Sequence, residues 1–217
     1  MDGLILATGN RARRHQLNAM HAAGAQRVTV VSSRQTGTLH AFSLARERVH
    51  GDVLVLSSDA LFPQQILRAL LHRGSALAFD SRSRAGSERV EVSTKDGRLI
   101  RIGGDPSSPG AHGEHLGLLH LTEDVARATF DVAAELLQRG GERLSLVTAL
   151  NVVARRHPIA CVDIADLRWV EIDYPKDLPT ARTEVWPAVA ELRSRPPARA
   201  RTGRAPEKRA AAFPSHA

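Results

Sequence analysis

Two acidic positions far apart in the chain could together bind a divalent cation. Asp59 follows the apolar run at residues 53–56, and Glu171 and Asp173 lie at the end of a second apolar segment. Glu171 and Asp173 are two residues apart, so in an extended strand their side chains point to the same side. Paired carboxylates repel each other, and Mg²⁺ relieves that repulsion while it binds phosphate oxygens. If folding joins the two segments, they form a site for Mg²⁺ and a nucleotide phosphate.

The segments around Asp59 alternate between strand and helix patterns. This alternation is typical of an α/β protein with a mixed, mostly parallel sheet, in which ligands bind beyond the carboxyl ends of the strands. Asp59 follows a predicted strand, so it lies at such an end. Strands are predicted at residues 3–8, 28–31, 52–56 and 75–79, and helices at 14–23, 39–49 and 63–72.

The second half of the chain begins with a hairpin. Asp96 and Gly97 form a strong turn signal between two segments, 89–94 and 98–102, that favour strands. The later predicted elements are strands at 115–121, 159–162 and 169–172 and helices at 123–138, 146–156 and 177–192, the last interrupted before Pro187. We therefore expect a single-domain, three-layer α/β/α protein over residues 1–192.

The composition supports one aliphatic core in a protein of 217 residues, since 42% are hydrophobic but only 4% are aromatic. No apolar run approaches the roughly 18–20 residues that span a bilayer. The start lacks the pattern of a secretory signal. The single cysteine, Cys161, cannot form an internal disulfide and is predicted to be a core thiol. We expect a cytoplasmic protein with no membrane association.

The net charge of +7 is concentrated near the C-terminus. Residues 193–209 hold seven basic side chains and one acidic one, a balance of +6. Residues 193–217, rich in Pro, Ala and Arg, are predicted to form a disordered tail. Such a tail can bind anionic polymers nonspecifically. It has no interleaved aromatic residues on which bases could stack, so no specific nucleic-acid partner is expected.

The segment at residues 51–62 resembles the strand that carries the metal-binding aspartate in sugar-nucleotide-type nucleotidyltransferases. The ending at residues 169–178 is similar to the C-terminal signature of one branch, the phosphocholine, inositol-phosphate and phosphonate cytidylyltransferases. Residues 15–31, 38–45, 96–103 and 113–119 resemble further segments of the family in order and spacing. The resemblance covers residues 3–182 and implies a GT-A-like fold of the nucleotide-diphospho-sugar transferase type.

The resemblance also implies a reaction in which an acceptor phosphate or phosphonate attacks the α-phosphorus of a nucleoside triphosphate, with CTP favoured, and pyrophosphate leaves. The partners are then that triphosphate and the small acceptor, and a homodimer is possible. Mg²⁺ is the implied cofactor. The implied residues are Asp59, Asp173 and Arg13 for catalysis, Ala7, Gly9, Thr38 and Ser58 for nucleotide binding, and Asp59, Glu171 and Asp173 for the metal.

The N-terminus departs from the family pattern. Gly9 and Arg13 fit the phosphate-binding loop, but Arg11 occupies a glycine position, and the following loop with its phosphate-binding lysine is absent. Either the start of the chain is truncated or the site is degenerate. Arg11, Arg13 and Arg14 are candidate substitutes for the lysine. The alternative function is therefore a catalytically impaired relative that binds a nucleotide or a partner protein.

Two other interpretations depend on single features. A glycosyltransferase would need an Asp-x-Asp motif, of which residues 57–59 supply only Asp59. His112, His115 and His120 could be read as a metal cluster with Glu114. On a strand, however, His115 and His120 face opposite sides, and we expect His112 and Glu114 to be solvated loop residues.

Overall fold

Ten strands run through the part of the chain that the computed structural model describes, which is residues 1–7, 12–32, 36–83, 90–103 and 111–194. Eight of them form one sheet, and β4 and β10 form a separate two-stranded sheet. The strands are β1 (Asp2–Ala7), β2 (Arg27–Ser32), β3 (Val53–Ser57), β4 (Ala60–Leu61), β5 (Ala76–Asp80), β6 (Glu91–Lys95), β7 (Arg98–Ile102), β8 (Ala111–Leu121), β9 (Ala160–Asp163) and β10 (Val170–Glu171).

The large sheet has the order β2-β1-β3-β8-β5-β9-β7-β6. β1 pairs in parallel with β2 and β3, and β5 pairs in parallel with β9. β8 is antiparallel to β3 and β5, and β7 is antiparallel to β9 and β6. Six of the eight strands therefore point the same way, as the alternating pattern predicted. The strand ends that bear Ser57, Asp80 and Asp163 lie at the same edge.

Helices cover both faces of the sheet. The α-helices in the described residues are α1 (Arg13–Ala22), α2 (Thr38–Ser43), α3 (Gln65–Leu71), α4 (Glu123–Gln138), α5 (Leu146–Val153), α6 (Leu178–Thr180) and α7 (Trp186–Ser194). Alternate residues of β3 explain the layers: Val53 and Val55 pack with α2, α4 and α5, whereas Leu54 and Leu56 pack with α1 and α3. This arrangement confirms the three-layer α/β/α prediction.

Two predicted helices differ in detail. The helix predicted over residues 39–49 ends at Ser43, and a separate 3₁₀ turn (Arg46–Arg48) follows. Val49 is extended and buried, so the backbone has to leave the helix before it in order to enter β3. In the last helix a π-turn (Ala181–Val185) precedes α7. Pro187 has no N–H to donate to the preceding turn, which accounts for the irregularity predicted there.

A third small core lies under the C-terminal helices. Leu61 of β4 and Ile172, which follows β10, pack against Val185 and Val189. This core fixes the short β4–β10 sheet against the end of the chain that the structure describes. None of the helices in the described ranges combines the length and the apolar character that a membrane crossing requires.

Candidate active site

Asp59 lies at the carboxyl end of the buried strand β3. Val53, Leu54 and Leu56 are almost inaccessible to solvent, so the apolar run ends where the chain reaches the edge of the sheet. The Ser58 N–H donates to the carbonyl of Leu6 in β1 at 3.2 Å, which holds the turn to the neighbouring strand. Ser57 Oγ donates to Asp59 Oδ1. Asp59 is therefore a partly buried carboxylate whose orientation is supported by its own strand end.

The segment around Glu171 lies directly beside Asp59. β4 and β10 pair antiparallel with Glu171 opposite Ala60, and the Ile172 N–H donates to the Asp59 carbonyl at 3.0 Å. Folding thus joins the two acidic segments, which is the condition that a shared cation site requires. Glu171 is partly buried, Ile172 is buried and Asp173 is exposed. Asp173 lies beyond the end of β10, and its N–H donates to Asp177 Oδ2 at 3.0 Å.

The acidic side chains themselves do not form a closed metal cage. Among the described side chains, no three His, Cys, Asp or Glu residues come close enough to hold a metal ion. Asp59 and Glu171 belong to adjacent, hydrogen-bonded segments, and Ser57 orients the first of them. One or two carboxylates at a strand edge, completed by substrate phosphates and water, suit Mg²⁺. Asp59 and Glu171 offer carboxylate oxygens of the kind that such an open site requires.

A cavity of about 160 Å³ opens between the strand ends and α5. Its apolar wall includes Leu6, Val55, Leu119 and Leu150, and its polar wall includes Thr38, Ser57, His115, Ser145 and Glu171. Thr38 Oγ1 accepts a hydrogen bond from the Leu146 N–H at 2.9 Å and lies 3.2 Å from Ser145 Oγ. The structure therefore brings the predicted residues Thr38 and Glu171 to one cavity, next to the turn that carries Ser58 and Asp59.

His115 is a residue of this cavity that the sequence did not single out for the site. Its Nδ1 is shielded from solvent and has no hydrogen-bond partner among the described residues. Burial lowers the pKa of His115 to about 4, with a weaker opposing effect from a hydrogen bond to the Ala78 backbone. The ring is therefore neutral at physiological pH. The sequence predicted only that His115 and His120 face opposite sides of the sheet. The structure confirms this, because His115 pairs with Phe79 of one core and His120 pairs with Leu54 of the core on the other face.

The predicted phosphate-binding residues lie near the end of β1. Ala7 is buried as the last residue of that strand, and Arg13 is the first residue of α1. Arg13 is partly buried, and its Nε has no hydrogen-bond partner in the parts of the chain that are described. Gly9 and Arg11 lie outside the described residues. β1 leads into α1 after five residues (8–12), so this connection is shorter than the loop with a lysine that the resemblance implies.

Two curated proteins are similar to the chain in sequence. The CMP-5'-(3-aminopropyl)phosphonate synthase of Streptomyces rubellomurinus (strain ATCC 31215) is 31% identical over 153 residues, which is 65% of this chain and 24% of that protein. The bifunctional IPC transferase and DIPP synthase of Aquifex aeolicus (strain VF5) is 27% identical over 144 residues, which is 64% of this chain and 30% of that protein. The chain thus spans less than a third of the length of these relatives. No family model matches the chain.

The solved structure of another protein shows which fold the chain has. The inositol-1-phosphate CTP transferase of T. maritima superposes with a TM-score of 0.61 at 18% identity, covering 88% of this chain and 76% of that one. The chain has the nucleotide-diphospho-sugar transferase fold. The resemblance to the cytidylyltransferase branch, inferred above from the strand-end motifs, is confirmed by the two curated relatives.

A second cavity, of about 420 Å³, lies at the same edge of the sheet. Asp80, at the end of β5, accepts a hydrogen bond from the Trp169 indole N–H at 2.9 Å and faces the cavity with Arg168. Trp169 thus links the segment of Glu171 to β5. The cavity wall offers both acidic and basic side chains.

Three predictions concern residues near these cavities, namely Glu114, His112 and Cys161. Glu114 is a buried residue of β8 that accepts a hydrogen bond from Ser83 Oγ, so the prediction of a solvated loop acid is wrong. β8 begins at Ala111, which places His112 in the strand as well. The pairing of β8 with β5 and β6 extends this strand beyond the predicted start at His115. Cys161 is partly buried and packs against the margin of a core rather than within it, and burial raises the pKa of its thiol to about 12.

Proposed function

We propose that the chain is an NTP-dependent nucleotidyltransferase, with CTP as the favoured nucleotide and a small phosphate or phosphonate compound as the acceptor. The observation that carries the proposal is the β4–β10 pairing, which places Asp59 beside Glu171 at the carboxyl ends of the strands. The two curated relatives are named for CMP-phosphonate synthesis and IPC transfer, which supports this substrate class.

The cavity between β1, β3 and α5 is the proposed nucleotide site. Its apolar wall can cover one face of a base or ribose, while Thr38, Ser57 and His115 offer polar atoms for orientation. Arg13, at the start of α1, is the proposed contact for the triphosphate, and its buried Nε, which has no hydrogen-bond partner among the described residues, supports this assignment. The neighbouring cavity at Asp80 and Arg168 is the proposed acceptor site, because Arg168 can attract the acceptor's anionic group.

In the proposed reaction an acceptor oxygen forms a bond to the α-phosphorus, and the bond from that phosphorus to the pyrophosphate oxygen breaks. Asp59 and Glu171 would hold Mg²⁺, which supplies charge neutralisation for the phosphates when it is bound. The protein's own contribution is to align the two substrates and to exclude competing water. Ser57, by its hydrogen bond to Asp59, restricts the orientation of that carboxylate.

The first prediction tests this function by turnover. Pyrophosphate release should occur with CTP and Mg²⁺ when phosphocholine, inositol 1-phosphate or 3-aminopropylphosphonate is supplied, and mass spectrometry should detect the CMP adduct. Asp59→Asn and Glu171→Gln should each lower kcat/KM by about 100-fold or more, because a preorganised charge at the reacting phosphates is lost. Asp131→Asn is the matched control, since Asp131 is an exposed acid of α4 paired with Arg46 away from the site.

A second candidate function is supported by the short β1–α1 connection. With five residues between Ala7 and Arg13, the chain lacks the lysine loop of the family, so nucleotide binding without turnover is the alternative. Calorimetry with CTP separates the two. Binding of CTP without any adduct across the acceptor panel would favour the binding protein, and the absence of both binding and turnover would overturn the proposed function. Replacing Arg11, Arg13 and Arg14 together by Ala should weaken CTP binding in either case.

A further inference from the structure

Gln16 lies on the buried face of α1 and is completely inaccessible to solvent. Its Nε2 donates two hydrogen bonds, to the Ser57 carbonyl at 2.6 Å and to the Ala60 carbonyl at 2.7 Å. These two carbonyls stand on either side of Ser58 and Asp59. The amide of one helical side chain therefore clamps the two ends of the turn that presents the Asp59 carboxylate.

The same turn is held from two other directions. The Ser58 N–H donates to Leu6 in β1, and the Asp59 carbonyl accepts from Ile172 after β10. Gln16 supplies the hydrogen bonds from α1, so the backbone of the turn is tied to β1, to the residue that follows β10 and to α1. A buried amide N–H needs an acceptor, and Gln16 uses both N–H groups of its Nε2 in this way, whereas its Oε1 is buried without a hydrogen-bond partner among the described residues.

Gln16 also connects this turn to the proposed phosphate site. Arg13 is three residues earlier on α1, and residues three apart in a helix are neighbours on one face. A shift of α1 that moves Arg13 would therefore move the clamp on Asp59 as well. Because small displacements of reacting groups strongly reduce the rate, a rigid link between these two residues matters for transfer to phosphorus.

We propose that Gln16 is a positioning residue that fixes the Asp59 carboxylate for a divalent cation and keeps it in register with Arg13. This inference rests on the proposed function for its catalytic consequence, but its structural part concerns the order of residues 57–61 alone. Glutamine is suited to the role because its two donors can reach two carbonyls at once, which a hydroxyl cannot do.

The test compares Gln16→Met with Asn151→Leu. Met keeps the length of the side chain but has no donor. Asn151 makes a matched pair of bonds, accepting from the Ile102 N–H and donating to the Ile102 carbonyl, each at 2.7 Å, on the far side of the sheet from α1. Each variant removes two hydrogen bonds that are at least partly shielded from solvent, so a general loss of stability should appear in both.

The readouts are Mn²⁺ affinity measured by electron paramagnetic resonance with the metal alone, amide hydrogen exchange of residues 57–61, and kcat and KM for CTP. For Gln16→Met we expect roughly tenfold weaker Mn²⁺ binding and a roughly tenfold lower kcat with little change in KM, as for other groups that orient a metal ligand. Exchange at residues 57–61 should be faster. Asn151→Leu should leave Mn²⁺ affinity and the exchange of residues 57–61 at wild-type values. Gln16→Asn, which keeps the amide but is too short to reach both carbonyls, should give intermediate values and serves if Gln16→Met does not fold.

Wild-type Mn²⁺ affinity and wild-type exchange in Gln16→Met would overturn the inference, as would equal changes in Asn151→Leu. The failure of the proposed function looks different. If the native chain makes no CMP adduct, but Gln16→Met alone weakens Mn²⁺ binding and loosens residues 57–61, then Gln16 orders Asp59 in a protein with another activity.

Discussion

At the scale of single residues, His115 shows how burial adapts a side chain to the cavity. A histidine near neutrality is often divided between its charged and neutral forms, but enclosure by β5 and β8 removes the water that would stabilise the charge. The neutral ring keeps a nitrogen lone pair available. At the wall of the proposed nucleotide site, that nitrogen can accept a hydrogen bond from a ligand hydroxyl or amino group.

The low pKa of His115 predicts a specific pH dependence of stability. The folded pKa, about 4, lies below the unfolded value of 6.5, so between these values the unfolded chain binds the extra proton. The free energy of unfolding should therefore fall as the pH drops from 6.5 to 4, by up to about 3 kcal/mol from this group. Urea unfolding at a series of pH values measures the effect. In His115→Gln the free energy of unfolding should differ less between pH 7 and pH 4 than it does in the native chain.

The control for this prediction is His112→Gln, because His112 is an exposed histidine on the same strand. It should unfold with the pH dependence of the native chain. If His115→Gln and the native chain lose the same stability between pH 7 and pH 4, the His115 ring titrates normally in the folded protein.

The sequence predicts some residues of the site and not others, for a physical reason. Asp59 could be found because a buried strand that ends in a carboxylate is a local pattern. Gln16 carries no such signal, since a glutamine in a helix is ordinary, and only the packing of α1 on the β3–β4 turn buries its amide. Thr38 was reached through the family resemblance. Its contacts with Ser145 and Leu146 join segments that are distant in the chain.

At the scale of the elements, β8 determines the shape of the cavity floor. Its pairing with β5 shifts register between Leu77 and Phe79, a β-bulge, and Gly117 in β8 has φ +68°. A Cβ at Gly117 would lie 2.8 Å from the Ser57 Cβ, which is closer than carbon atoms can approach. Ser57 is the residue that hydrogen-bonds Asp59. The absent side chain of Gly117 thus leaves room for the strand end that presents the acid.

Gly117→Ala should therefore impair the site more than the fold. The positive φ alone should cost about 1–2 kcal/mol of unfolding free energy, and the contact with Ser57 should displace Asp59 and lower kcat. Gly97→Ala is the matched control, because Gly97 has φ +71° but open space around its Cβ position, in the β6–β7 hairpin. Thermal unfolding and CMP-adduct formation measure both effects. Equal kcat in the two variants would contradict this account of Gly117.

Among the elements, long amphipathic segments could be predicted and short ones could not. α4 begins at Glu123 and ends at Gln138, as its apolar periodicity and first-turn acids indicate. α2 is shorter than predicted, since residues 44–48 favour a helix locally while Val49 is required in the core. β4 has two residues and is defined only by its partner β10, so no local pattern could show it.

At the scale of the whole molecule, the site exists because distant segments converge at one edge of the sheet. β3 contributes Asp59, β1 leads to α1 with Arg13 and Gln16, and the C-terminal segment returns to add Glu171. The small core of Leu61, Ile172 and Val185 holds that returning segment in place. Sequence patterns could predict that both acids end strands. Their adjacency is a property of the complete topology.

The composition of the C-terminal tail predicts the effect of removing it. Residues 195–217 are rich in Pro, Ala and Arg and are expected to bury little, so truncation after Ser194 should leave the melting temperature and CTP turnover of the chain unchanged. The deleted residues 195–217 hold six basic side chains and one acidic one, a balance of +5, which leaves +2 of the net charge of +7. Since binding to polyanions depends on released counterions, the truncated chain should elute from heparin at lower salt, and its affinity for duplex DNA should depend less steeply on salt. Loss of CTP turnover on truncation would show that the tail takes part in the reaction, and unchanged heparin elution would place the anion-binding surface on the folded domain instead.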